Sequence, residues 1–109
     1  MGNEFSKKLG LRIRELRIAN GLKQGELADL LEMERSNLTR IESGKQRPND
    51  DNIVKLSEIF KVEVQELFNF EHQKPKNELK DNIINMVNSL SDKELKYIYK
   101  ILKIMKEMN

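Results

Sequence analysis

The stretch RSNLTRIESG, residues 35–44, predicts a short helix with one apolar side and one polar side. Leu38 and Ile41 are three residues apart, so they share one face of such a helix and are expected to be buried. Gly44 suits the left-handed position that follows a helix C-terminus. The N-terminal end and the outer side carry the polar residues Arg35, Ser36, Thr39 and Arg40. We therefore expect one wall of this helix to pack on a core and the other wall to contact a partner.

Residues 23–31 predict a second short helix just before the first, and residues 32–34 form the break between them. We expect this second helix to bury Leu27, Ala28 and Leu31. The major groove of DNA admits one α-helix, which must have one buried wall and one polar wall. An arginine on such a helix can bind O6 and N7 of guanine through two parallel hydrogen bonds. The pattern therefore favours a pair of helices that binds double-stranded DNA.

Three further helices are expected to complete a domain of residues 1–70. Ser6 can cap the first of them, and Gly21 ends it. Another begins after Pro48, and a short one covers residues 64–68. The apolar positions of the first and fourth helices are Leu9, Ile13, Leu16, Ile53, Leu56, Ile59 and Phe60.

Polar residues 71–78, which include Pro75, are interpreted as a linker, and residues 79–109 as a helical hairpin. The second hairpin helix begins with the capping box Ser91-Asp92-Lys93-Glu94. It is apolar on nearly two faces, whereas a helix packing on one neighbour needs one stripe. A helix enclosed in its own monomer is the alternative, but residues 71–109 are too few for a good independent core. We expect one stripe to close the hairpin and the other to form a dimer through Leu95, Ile98, Ile101, Leu102 and Met105.

Composition excludes several classes of site. The chain of 109 residues has no cysteine and one histidine, His72, so neither a disulfide nor a metal site built from several histidines is expected. The carboxylates are scattered among lysines with no convergent pair, so we expect no enzyme, no metal and no cofactor. No apolar run is long enough for a membrane span, which favours a soluble, cytoplasmic protein that binds no membrane.

The net charge of +2 says little about partners, because the charge is unevenly distributed. Basic residues cluster around the end of the third helix, where Glu42 is the only acid among them. Such a local basic patch on a neutral body is sufficient to bind phosphate. Its members are Arg35, Arg40, Lys45 and Arg47.

Residues 9–68 resemble the lambda-repressor and Cro type of helix-turn-helix domain, the XRE family. The resemblance rests on the order and spacing of several short motifs: Leu9-Gly10, Ile13, Leu16-Arg17, Gln24-Gly25-Glu26-Leu27-Ala28, residues 36–44, Arg47-Pro48, Leu56 and Leu67-Phe68. It implies an all-α fold, with a five-helix lambda-repressor-like DNA-binding domain followed here by the C-terminal helical hairpin. It also implies a transcriptional regulator that binds a specific DNA sequence.

The resemblance also implies a role for individual side chains. It assigns base contacts to Arg35, Ser36 and Arg40, and phosphate contacts to Gln24, Asn37 and Ser43. It pairs Arg17 with Glu42 in an ion pair between the first and third helices. To these DNA contacts we add Thr39, Lys45 and Arg47 from their positions on and after the third helix.

Two positions depart from the family pattern. The turn position that is usually glycine is Glu32, and a left-handed conformation there costs about 1 kcal/mol, so an altered turn is expected. The cap position that is usually serine or threonine is Glu34, which is a poor cap. Its carboxylate is expected to accept from cytosine N4 or to turn away from the DNA.

Together these observations predict a dimeric repressor on a near-palindromic operator. An antitoxin or a restriction-modification controller with the same domain is the nearest alternative. A protein-interaction adaptor, whose hairpin binds another protein, is an alternative from a different class.

Overall fold

The computed structural model describes residues 2–108, and within that range the fold is all-α, as predicted. The elements are α1 (Gly2–Ala19), α2 (Gln24–Leu30), α3 (Arg35–Glu42), α4 (Asp50–Phe60), a 3₁₀ helix (Val64–Phe68), α5 (Lys76–Asn88) and α6 (Asp92–Glu107). The chain divides into two compact units, Met1–Gln73 and Lys74–Asn109, called here the first and second units. No helix among the described residues has both the length and the apolar character of a membrane span.

The first unit is built around one apolar core to which all four of its α-helices and the 3₁₀ helix contribute. The helical spacing of the apolar residues explains this core, because residues three or four apart share a face. Its buried side chains are Leu9, Ile13, Leu27, Ala28, Leu31, Leu38, Ile41, Leu56, Phe60 and Leu67. The core holds α3 by Leu38 and Ile41, the two positions predicted for its buried face.

The backbones of α1 and α3 approach each other closely at Gly10. A Cβ atom at this position would lie 2.6 Å from the carbonyl oxygen of Glu42, far inside contact distance. Gly44 makes a second close approach with a φ of +82°, and a Cβ atom there would lie 2.6 Å from Cα of Lys7. These two glycines therefore let α1 lie directly against α3 and the turn that follows it.

The first helix begins at Gly2, so the prediction that Ser6 caps it is wrong. Ser6 is buried inside α1, and its hydroxyl accepts a hydrogen bond from Nε of Arg47 at 3.2 Å. The additional turn has partners of its own, because the ring of Phe5 stacks on Phe68 with centroids 6.0 Å apart and meets Phe70 edge-on at 5.9 Å. These tertiary contacts explain why the helix starts before its capping signal.

The turn between α2 and α3 has the conformation expected of the family despite lacking glycine. Glu32 has a φ of 55°, in the left-handed region, so the alteration of the turn that the missing glycine led us to expect does not occur. The backbone N–H of Met33 donates to the carbonyl of Ala28 at 3.0 Å, which closes the end of α2. Glu34 occupies the N-cap position of α3, and its side chain makes no capping bond. The turn therefore tolerates a glutamate where a glycine would be unstrained.

The residues predicted as a linker, 71–78, belong partly to both units. His72 contacts Glu15 of α1 at 2.7 Å, and the side-chain amide of Gln73 donates to the carbonyl of Lys8 at 3.0 Å. Pro75 is the N-cap of α5, which begins three residues before the predicted hairpin. Residues 72 and 73 therefore contact α1, and the predicted linker includes the start of α5.

The second unit consists of α5 and α6, joined by a short turn. The predicted capping box is present: the backbone N–H of Ser91 donates to Glu94 at 3.0 Å, and the N–H of Glu94 donates to the Ser91 hydroxyl at 3.2 Å. No side chain of α5 or α6 is buried. Leu79, Val87, Leu90 and Ile98 are half-buried, so closure of the hairpin by one apolar stripe stays a prediction.

Candidate nucleic-acid interface

The outer side of α3 is polar and exposed along its whole length. Most of the predicted DNA contacts on and just after this helix are exposed: Glu34, Arg35, Ser36, Thr39, Arg40, Ser43, Lys45 and Arg47. Asn37 is half-buried, and Leu38 and Ile41 are buried beneath. A helix anchored by two apolar side chains, with its polar side uncovered, has the form that a major groove accepts.

An ion pair between α1 and α3 lies beside this face. Nε of Arg17 donates to one carboxylate oxygen of Glu42 at 2.8 Å, and Nη2 donates to the other at 3.2 Å. Arg17 also donates from Nη1 to the carbonyl of Leu22 at 2.8 Å. Only 4% of the Glu42 side chain is exposed. The pair predicted from the family is thus formed, and Arg17 neutralises the buried carboxylate of Glu42 in α3.

Gln24 of α2 bonds both to this ion pair and to the exposed side of α3. Its amide nitrogen donates to Glu42 at 3.1 Å, and its amide oxygen accepts from Nε of Arg35 at 3.4 Å. The hydroxyl of Thr39 also points to this oxygen, at 3.3 Å. The predicted phosphate ligand therefore connects three of the other predicted site residues, and its amide orientation is fixed by them.

Arg40 is held by two neighbouring side chains. Its Nε donates to the amide oxygen of Gln46 at 3.2 Å, and its Nη2 donates to the amide oxygen of Asn37. The hydroxyl of Ser43 donates to the carbonyl of Arg40 at 3.1 Å, so this predicted phosphate ligand also bonds to its own helix. Sequence reasoning missed Gln46, because it lies in a loop where no helical spacing indicates its partner.

The two basic residues after α3 differ in their surroundings. Lys45 is exposed, as a phosphate contact would require. The guanidinium of Arg47 lies over the ring of Phe5 at 4.9 Å, and its Nε donates to Ser6. Arg47 thus joins the loop to the first turns of α1, a structural role that the sequence did not reveal.

An open cleft of about 620 Å³ lies at the junction of α1, α2 and α3. Its lining is mostly polar and basic: Arg14, Arg17, Lys23, Gln24, Gly25, Glu26, Asp29 and Arg35. Glu26 turns its carboxylate back to the N–H of Lys23 at 2.8 Å. Basic groups beside a recognition helix can attract the phosphates that flank the groove. Among the described residues no group of three acidic or histidine side chains could hold a metal ion.

The predicted dimerisation residues lie on α6, in the second unit. Leu95, Ile101, Leu102 and Met105 are exposed, and Ile98 is half-buried. Other large apolar side chains of α6 are exposed as well, namely Tyr97, Tyr99, Ile104 and Met108. The helix therefore presents far more apolar surface than its own unit covers.

The helices α2 and α3 pack on a shared core, and α3 carries an exposed polar and basic side. Together these features define a helix-turn-helix DNA-binding protein. The helix-turn-helix family HTH_3 matches residues 13–67, half of the chain, and the chain belongs to this family. The resemblance to the XRE type is thereby confirmed. The protein is a DNA-binding transcriptional regulator.

Several solved structures share this fold. The restriction-modification controller protein C.AhdI from Aeromonas hydrophila is 42% identical, over 57% of this chain and 94% of that one, with a TM-score of 0.53. The SinR protein/SinI protein complex matches at 26% identity over 91% of this chain and 98% of that one, with a TM-score of 0.55. An HTH_3 family transcriptional regulator from Vibrio cholerae is 20% identical over 67% of this chain and 41% of that one, with a TM-score of 0.58. At this identity the match shows only that the two proteins share a fold. None of the curated proteins compared matches the chain.

Proposed function

We propose that the protein is a repressor that binds a near-palindromic operator as a homodimer. The observation that carries the proposal is the exposed polar side of α3, on which Arg35 and Arg40 lie one turn and a half apart. Each subunit places its α3 in one major groove, and the bound dimer excludes RNA polymerase from the promoter. The protein acts in the cytoplasm, where bacterial DNA is located.

The base contacts proposed are those of Arg35, Ser36 and Arg40. Arginine on a recognition helix commonly binds guanine, so the operator half-site is expected to contain two G·C pairs that these arginines bind. Thr39 lies between the two arginines in the sequence. It contacts either a polar base edge or the methyl group of a thymine. Glu34, which makes no capping bond, is placed at the helix start to accept from cytosine N4.

The phosphate contacts proposed are those of Gln24, Asn37, Ser43, Lys45 and Arg47. These residues surround the base-contacting side chains on α2, α3 and the loop after α3. Contacts of this kind fix the position of a protein on the duplex without selecting the sequence. The Arg17–Glu42 pair supports this arrangement, since an unpaired Glu42 carboxylate would repel the phosphates.

The dimer is proposed to form through α6. Its exposed apolar side chains include Leu95, Ile101, Leu102 and Met105, which a second copy of the helix would cover. Exposed apolar surface of this extent is unusual in a monomer and marks an interaction site. The lysines between the apolar residues would form the rim of the interface: Lys96, Lys100, Lys103 and Lys106.

A second candidate function is control of restriction-modification genes. It is favoured by the 42% identity with C.AhdI, which is a controller of that kind. The two functions share the same DNA-binding mechanism and differ in the genes that the operator precedes.

A protein partner on the second unit is a further candidate, favoured by the match to the SinR/SinI complex over 91% of this chain.

Selection of the full chain on random duplex DNA tests the proposal. We expect the selected sequences to share two inverted half-sites, with centres about one helical turn apart. Binding to the selected duplex is expected to weaken steeply as salt increases, because phosphate contacts release counterions. The matched control is Arg35→Ala combined with Arg40→Ala, which should keep the fold and lose the selection. Failure of the wild-type chain to bind any duplex in a salt-dependent way would instead support the adaptor hypothesis.

A further inference from the structure

Gln46 lies in the loop after α3 and is not among the residues predicted to contact DNA. Its backbone N–H donates to the carbonyl of Arg40 at 3.2 Å, and its side-chain oxygen accepts from Nε of the same Arg40. The N–H of Lys45 donates to that carbonyl too, at 2.9 Å. The loop is therefore closed by backbone bonds, and the Gln46 side chain is not needed to close it.

The side chain of Gln46 has no evident role in the core. Gln46 is exposed, and it is absent from the buried apolar cluster and from the half-buried side chains around it. The hydrogen bond that its side chain makes is directed at a predicted base-contacting arginine. This combination indicates a role in function rather than in folding.

The bonds to Arg40 determine which edge of its guanidinium can meet a base. Nε is bonded to Gln46, and one N–H of Nη2 is bonded to Asn37. Three N–H groups remain, two on Nη1 and one on Nη2, and the end of the guanidinium carries one N–H of each of these two nitrogens. Two parallel N–H groups at that end match O6 and N7 of guanine.

We propose that Gln46 is a positioning residue, which holds Arg40 for end-on contact with guanine and thereby sets the base preference at one operator position. The proposal rests on the DNA-binding function proposed above. An arginine side chain has many rotamers, and a bound Nε removes most of them before the DNA arrives. Arg40 then meets the groove already oriented, so that a base other than guanine leaves its N–H groups unpaired.

The same arrangement occurs at the other end of α3. Nε of Arg35 donates to the amide oxygen of Gln24, although at a longer distance of 3.4 Å. A glutamine from a neighbouring element therefore accepts from Nε of each of the two arginines. Arg47, the arginine in the loop after α3, bonds instead to a serine and lies on a phenylalanine ring.

The test compares Gln46→Met with the wild-type full chain on the selected operator and on every single-base variant of it. Methionine has a similar length and volume but cannot accept the hydrogen bond from Nε. We expect affinity for the selected operator to fall about fivefold to tenfold, and the preference to flatten at the one G·C pair contacted by Arg40. Preferences at the other positions, the melting temperature and the salt dependence should be unchanged.

Three controls separate positioning from other effects. Gln65→Met changes an exposed glutamine in the 3₁₀ helix and should change no base preference. Gln46→Glu keeps an acceptor for Nε, so it should retain the guanine preference while weakening binding to all sequences by its charge. In an Arg40→Ala background, Gln46→Met should have no further effect.

The outcomes distinguish this inference from the function on which it rests. If Gln46→Met shows the wild-type preference at every position, Gln46 does not position Arg40 and the inference fails alone. If its effect persists in the Arg40→Ala background, the residue acts by another route and the inference also fails. If the wild-type chain selects no sequence, the proposed function fails and the inference fails with it.

Discussion

The carboxylate of Glu42 in α3 receives two hydrogen bonds from the guanidinium of Arg17 in α1, and a third from Gln24 in α2. These bonds join α1, α2 and α3 at one point. Removing one member of a buried pair leaves an uncompensated charge, which costs more than removing both members.

The first prediction follows from this pair. Glu42→Gln or Arg17→Met alone should lower the free energy of unfolding by about 3 kcal/mol. The double variant should lose less than the sum of the two single losses, because neither charge is then left without its partner. Urea unfolding of the four proteins measures the coupling energy, and strictly additive losses would show that the pair contributes no interaction.

The second prediction separates base contacts from phosphate contacts. Arg40→Ala should cost about 1–3 kcal/mol of binding free energy on the selected operator and relax the preference at one base pair. Lys45→Gln should weaken binding to all sequences alike and reduce the salt slope by about one unit. Fluorescence anisotropy over a series of salt concentrations measures both effects. An Arg40→Ala protein with unchanged affinity and preference would contradict the assignment of α3 as the recognition helix.

The third prediction concerns the close approach of α1 and α3. Gly10→Ala places a Cβ atom 2.6 Å from the backbone carbonyl oxygen of Glu42, so the helices must separate. We expect a loss of about 1–3 kcal/mol in the free energy of unfolding, as for other overpacked sites.

Gly25→Ala is the matched control, because a Cβ atom at that position in α2 would meet nothing within 4 Å. Alanine is the better helix former, so this change should raise stability by up to about 1 kcal/mol. Thermal unfolding of the two variants should therefore shift in opposite directions. A Gly10→Ala protein at least as stable as the wild type would contradict the observed helix contact.

Much of the first unit could be predicted from the sequence because its signals are local. Helical spacing gave the buried face of α3, with Leu38 and Ile41. The Ser91–Glu94 capping box also depends on residues three apart, and it forms as expected. Such patterns are read from neighbouring residues and need no knowledge of the tertiary structure.

The features that the sequence did not predict depend on contacts between distant residues. α1 begins before Ser6 because Phe5 meets Phe68 and Phe70, more than sixty residues away. The contact of His72 with Glu15 likewise joins a predicted linker to a helix far along the chain. At the site itself, Gln46 reaches Arg40 from a loop, where side-chain direction follows no period. Spacing rules therefore find helix faces, but they do not find bonds that bridge elements.

The fourth prediction concerns the start of α6. Hydrogen bonds stabilise the ionised carboxylate of Glu94 and hold its pKa below the ordinary value. The backbone N–H of Ser91 contributes most to this shift, and the Ser91 hydroxyl contributes less. A lowered folded-state pKa means that the capping bond is fully stabilising above the ordinary pKa and is lost as the pH falls through the lowered one. The start of α6 should therefore fray in acid, as the pH falls from the ordinary glutamate pKa of 4.5 through the lowered one.

Hydrogen exchange of the first amides of α6 over that pH range measures the fraying, after correction for the intrinsic exchange rate. Glu94→Gln is the control, because an amide cannot ionise and its protection should show no such transition. Equal pH dependence in the two proteins would mean that the Glu94 carboxylate does not stabilise this end of the helix.

The last prediction concerns the role of the second unit in DNA binding. A chain that ends at Gln73 retains the whole apolar core of the first unit and the contacts of residues 72 and 73 with α1, so it should unfold cooperatively. It should be a monomer and bind the palindromic operator about 10²–10⁴-fold more weakly than the full chain. In the dimer, binding of one half-site brings the second subunit to the other half-site, and a monomer lacks this advantage. A chain that ends at Phe70 should be less stable, since it lacks the contacts of His72 and Gln73.

Truncation removes all of α5 and α6, not only the proposed interface. The double variant Ile101→Asp, Leu102→Asp in the full chain therefore tests the interface more specifically. Both side chains are exposed in the single chain, so the change should leave the first unit folded while a charge on the apolar side of α6 prevents association. Analytical ultracentrifugation at micromolar concentration should then give a dimer for the wild type and a monomer for both altered chains, with the same loss of operator affinity in each. If the wild-type chain sediments as a monomer, α6 is not a homodimer interface, and its apolar side becomes the docking surface for a different protein, as the adaptor and antitoxin hypotheses require.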